Sequence, residues 1–180
     1  MSRKCFVVLS LFVWAAFTLA PAALAAQRDA AAQARGGTSS TTHLQKGIAS
    51  FEQGFYEHLP KNKKADAEAA FATAVQELEL ALSDDPNSRE AHRTLARIET
   101  VRQNHLAAAA HYRRLTEIDP FDIDSYAFAA SALTEAARFA EARTELEKAK
   151  GRTSDPRTLA LLDGYLSRLA EAEKQAGAGR

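Results

Sequence analysis

The sequence predicts an all-α protein built from stacked helical hairpins, and three observations carry that prediction. Alanine dominates the second half of the chain, while glycine and proline are few, at 8 and 5 copies in 180 residues. That mixture favours helix over strand. Small and apolar residues recur with a 34-residue period, the mark of a repeat architecture. Asp-Pro pairs punctuate it at Asp85-Pro86, Asp119-Pro120 and Asp155-Pro156, the first two 34 residues apart and the third two residues late.

Four columns hold the period through three copies: Phe71, His105, Phe139; Ala74, Ala108, Ala142; Leu78, Tyr112, Leu146; and Ala81, Leu115, Ala149. Within one copy the steps are three, four and three, so the four residues share one helical face. The central alanine lets a neighbouring helix approach near the lower end of the usual range of about 8–10 Å between axes. Each larger residue beside it stabilises by about 1.5–3 kcal/mol when fully buried. A proline beyond this face cannot extend the helix, so the chain turns there.

A first helix precedes each of these second helices. In the middle unit it is expected over about 89–102, with Ala91, His92, Leu95, Ala96 and Ile98 inward. In the next it is expected over about 123–136, with Tyr126, Ala129, Ala130 and Leu133 inward, and Ala96 and Ala130 again fall 34 apart. Two helices of this length cannot bury their apolar faces alone, so units must stack. With its period, its small residue in the first helix, its alanine in the second and its closing proline, segment 41–176 resembles the tetratricopeptide repeat (TPR) family. The resemblance implies a right-handed α-solenoid of helix-turn-helix units at about 41–86, 87–120 and 121–155. A capping helix over 156–176 and a frayed tail at 177–180 complete it.

The first unit departs from the family pattern. Gly47, Phe51, Gly54 and Tyr56 follow it, but Gly47 to Pro86 spans 39 residues, about 15 more than the family pattern has. Pro60-Lys61-Asn62-Lys63-Lys64 is expected as a loop in that insertion, between helices longer than usual. In the third unit Ser154 stands at the proline position, and Pro156 takes over. Beyond it Leu159, Leu162, Leu166 and Leu169 form one stripe, with Arg157, Asp163, Arg168 and Glu171 opposite. Proline suits the first turn of a helix, and a solenoid needs a terminal element to cover its last apolar face.

Residues 1–25 read as a signal peptide. Arg3 and Lys4 give the positive start, Cys5 to Ala20 the apolar stretch, Pro21 the break, and Ala23-Leu24-Ala25 the small residues before cleavage. Cleavage is expected after Ala25, with Ala22 and Ala26 as neighbouring sites. The apolar stretch falls short of the roughly 20 residues of a spanning helix; a membrane anchor through residues 5–20 is the alternative. Residues 26–40 are small and polar and are expected as a flexible linker. The expected location is the periplasm or the cell exterior. Cys5, the only cysteine, leaves with the leader, so the mature chain has no thiol or disulfide chemistry.

Charge is balanced at 23 basic and 23 acidic residues, whereas a nucleic-acid partner asks for a basic surplus. The sequence contains no G-x-S-x-G and no phosphate loop. His92 aligns with Tyr126, and His105 with Phe71 and Phe139, so both occupy packing columns; His43, His58 and His111 lack a metal-ligand spacing. Catalysis, cofactor, metal and small-molecule substrate are therefore not expected. Lys61, Lys63 and Lys64 read as a solvated loop, with a docking patch for an acidic or lipid surface as the alternative. Glu99 falls in the column of Leu133. Either Ile98 takes the inward direction there or Glu99 pairs with an arginine.

A binding surface is implied by the resemblance. In TPR proteins the first helices line a concave groove that takes an extended or helical peptide. By position the groove contains Glu90, Arg93, Arg97 and Val101 in the middle unit, and Asp124, Ala127, Ser131 and Glu135 in the third. Arg93 and Arg97 are four residues apart on one face and suit a carboxylate, with Glu90 as an internal partner for Arg93. The asparagines of the carboxylate-clamp members are missing, and Phe128 fills one of the expected places, which argues against a chaperone-tail receptor. The expected function is a non-enzymatic, exported scaffold that binds a protein or peptide partner. The alternatives are a permanent subunit of a cell-envelope assembly and, remotely, an unrecognised enzyme.

Overall fold

The computed structural model describes residues 39–178, and among these every regular element is helical. Helix α1 covers 39–52 and continues through a π-helical turn, Gln53–His58, and a 3-10 turn, Leu59–Lys61. Then follow α2 (Lys64–Asp84), α3 (Arg89–Val101), α4 (His105–Ile118), α5 (Ile123–Glu135), α6 (Phe139–Lys150) and α7 (Pro156–Ala178). Each helix packs mainly on its neighbours in sequence. Residues 1–38, with the expected signal peptide and most of the expected linker, lie outside the described residues. Residues 39 and 40, expected as linker, belong to α1, where the Ser40 hydroxyl donates to the Ala81 carbonyl at 3.3 Å. At the other end α7 runs to Ala178, past the expected start of the frayed tail.

The columns form the core. Ala74, Ala108 and Ala142 have no accessible surface, and Leu78, Tyr112, Leu146, Ala81, Leu115 and Ala149 are buried with them. Phe71 is buried, whereas His105 and Phe139 are only half-buried. Glu99 satisfies both readings at once. Ile98 takes the interior, and Glu99 accepts from Arg102 Nη1 at 3.3 Å and Asn104 Nδ2 at 2.6 Å.

The long first hairpin is nearly all helix, and the expected five-residue loop shrinks to Asn62 and Lys63. His43 meets Glu77 at 2.6 Å, Gly47 faces Leu78 and Gly54 faces Phe71, so α1 and α2 run antiparallel. The Phe51 ring stacks on Phe55 at 5.5 Å and on Phe71 at 6.0 Å.

Turns inside the hairpins share one device. Asn62, Gln103 and Ala137 adopt positive φ of 54°, 61° and 56°. The N–H of the next residue reaches back to a carbonyl in the last helical turn: Lys63 to His58, Asn104 to Glu99, and Arg138 to Leu133, at 3.0, 2.8 and 2.8 Å. This is the Schellman closure, which usually carries glycine at the left-handed position. The Asp-Pro turns between hairpins use another. Asp85 and Asp119 end α2 and α4, and their carboxylates accept from Asn87 and Phe121 N–H, each at 3.1 Å. Ser88 and Asp122 then cap α3 and α5. The third pair has a different job: Asp155 itself caps α7, accepting from Thr158 N–H at 2.9 Å, with Pro156 at the first helical position. Its two-residue offset follows from that change of role.

Candidate binding face

Between α5 and α7 the structure leaves a cleft of about 390 Å³. Side-chain size explains it. α5 presents Ala127, Ala130 and Ser131, α7 presents Leu169 and Ala172, and Leu146 of α6 also lines the space. Aromatic surface comes from Tyr165 and from Phe128, which is 54% exposed and lies 5.3 Å from the Tyr112 ring. Two charged residues line the same cleft, Glu135 from α5 and Arg168 from α7. The Arg168 guanidinium sits 5.3 Å from the Tyr165 ring centre, a cation–π contact. Among the described residues neither Arg168 nor Glu135 has a salt-bridge partner.

The arginines of α3 are engaged elsewhere. Asp122, the cap of α5, accepts from Ser125 N–H at 3.2 Å and also holds Arg89 at 3.1 Å and Arg93 at 3.4 Å. Burial opposes ionisation of Asp122, but the hydrogen bonds from Ser125 and Arg89 outweigh it and keep the carboxyl below its usual range. The acidic partner of Arg93 is thus Asp122 of the next unit, not Glu90. The Arg97 guanidinium lies 4.7 Å from the Phe51 ring centre on α1 and 5.9 Å from that of Phe55 in the π-helical turn that follows it. Each arginine ties one hairpin to another.

Of the eight residues named from sequence, Ala127, Ser131 and Glu135 meet in the cleft. Arg93 and Arg97 make the contacts just described, and Val101 packs on the core around α1–α3. Glu90 and Asp124 stand exposed. Leu146, Tyr165, Arg168 and Leu169 were not among the expected groove residues. Arg168 reads locally as solvent-side and Leu146 as core, and only the placement of α7 makes them neighbours. Among the described residues no group of three His, Cys, Asp or Glu side chains is placed to hold a metal, and no helix is long and apolar enough to cross a membrane. Compared with known proteins, the chain matches no family model and no curated protein.

Proposed function

We propose that residues 39–178 form a TPR-type solenoid that binds a segment of a partner protein in the α5–α7 cleft, without catalysis, after export of the chain. One observation carries this reading: an apolar cleft whose lining holds a basic and an acidic side chain, Arg168 and Glu135, each without a salt-bridge partner among the described residues. At about 390 Å³ the cleft suits one or two side chains rather than a folded domain. Its fitting occupant is a peptide segment with a large apolar residue, a carboxylate towards Arg168 and a donor towards Glu135. Apolar burial supplies affinity there, and the charges supply orientation. The 34-residue columns and the matching Schellman turns at Gln103 and Ala137 support the repeat architecture. Export rests on the composition of residues 1–25.

The test begins with capture of a partner from the cell envelope by the mature chain, followed by calorimetric titration with the captured segment. Ser131 is exposed and lines the cleft, so Ser131→Trp fills the space without entering the core. Affinity is expected to fall tenfold or more, about 1.4 kcal/mol, with helicity and melting midpoint unchanged. Equal affinity for both chains would place the partner on another surface.

A further inference from the structure

Two histidines meet inside the middle hairpin. His92 of α3 and His111 of α4 place their Nδ1 atoms 3.2 Å apart, with ring centres 5.5 Å apart. The other nitrogen of His92, Nε2, lies 3.2 Å from the Pro86 carbonyl oxygen. A carbonyl only accepts, so His92 carries its hydrogen on Nε2, and Nδ1 of the neutral ring is bare. The hydrogen between the rings therefore belongs to His111 and is donated from its Nδ1. One backbone carbonyl sets both tautomers.

We propose that His92 and His111 form a proton-operated latch between α3 and α4, shut while the pair holds at most one extra proton and open when both rings are cationic. The first extra proton goes to the bare Nε2 of His111, and the N–H···N bond survives. The second must go to His92 Nδ1. Two N–H groups then face each other across 3.2 Å, so the bond is lost and like charges oppose.

The surroundings offer such a charge little relief. The charged groups acting on the pair are Asp85 from the turn before α3, Glu99 of α3, and Arg114 and Glu117 of α4; α5 adds none for His111. The three acids are already engaged: Glu117 by Arg114 at 2.6 Å, Glu99 by Asn104 and Arg102, and Asp85 by Asn87 N–H. Burial pushes both imidazoles below the ordinary value of 6.5, against the pull of the Pro86 bond on His92, while His92 itself adds to the effect on His111. The folded chain then binds fewer protons than the unfolded chain. Its stabilisation is intact above pH 6.5 and is lost as pH falls through and below that value. Opening would also reach the cleft, because the ring of Tyr112, next to His111, lies 5.3 Å from that of Phe128.

Nitrogen-15 NMR of the full wild-type chain reads the tautomers directly. At about pH 7.5, His92 is expected as the Nε2–H form and His111 as the Nδ1–H form, and on acidification both rings should titrate below 6.5 in two separate steps. His111 found as the Nε2–H tautomer, or either ring titrating at or above 6.5, would overturn the latch. As a second measurement, the His92→Phe, His111→Leu chain removes the titration. Between about pH 6.5 and 5 the folded-to-unfolded ratio of the wild type should fall faster than that of the variant, by up to about tenfold per pH unit for each proton taken up. Identical pH dependence in the two chains would refute it.

Discussion

The seam between α1 and α2 and the seam between α5 and α7 are both built from small residues, yet one is closed and the other open. At the first, a Cβ placed on Gly47 would lie 2.6 Å from Leu78 Cγ, and one on Gly54 would lie 2.7 Å from Phe71 Cε1. The missing side chains are space that leucine and phenylalanine already fill. At the second, Ala127, Ala130 and Ser131 look across a cleft. A small residue does not draw helices together by itself. Contact becomes close where the opposite helix supplies bulk, and elsewhere a small residue leaves room for a ligand.

Three substitutions sharpen that contrast. Leu78 is fully buried against Gly47, and Leu78→Ala should cost about 2–5 kcal/mol in denaturant unfolding. A loss well under that range would show that the seam collapses around the vacancy. Gly54→Ala should cost about 1–3 kcal/mol despite alanine's better helix propensity. The new methyl would meet a rigid Phe71 ring, with the Ala67 carbonyl only 3.2 Å away. The same change at Gly164 of α7, where a Cβ would meet nothing within 4 Å, should reverse sign. Gly164→Ala is expected to stabilise by up to about 1 kcal/mol, read as a higher melting midpoint; a lower midpoint would mean that α7 lies closer to its neighbours there.

Much of the architecture was legible because burial on a helix is a local, periodic demand. The three alanines of one column were readable as close-contact sites from spacing alone, and all three have no accessible surface. The third Asp-Pro pair was harder. Its residues match the other two, but Asp155 begins a helix where Asp85 and Asp119 end one. Aspartate suits both ends of a turn, so residue identity alone does not say which helix it serves. The first hairpin's insertion gave a similar difficulty, since proline and three lysines read as loop although Leu59–Lys61 still turns helically.

The candidate site divides along the same line. Helix phase puts Ala127, Ser131 and Glu135 on one face of α5, but only the family resemblance implied that this face lines a groove. Arg93 is held by Asp122, and Arg97 by the rings of Phe51 and Phe55 more than forty positions away. Those partners, the mutual contact of His92 and His111, and the gap over Leu146 depend on which side chains distant helices bring together. By itself the sequence determined which residues each helix turns inward, because that choice is made within a few turns of one chain segment. Tertiary structure decided which charges are spent internally and where space remains, because ion pairs and cavities are properties of two surfaces at once.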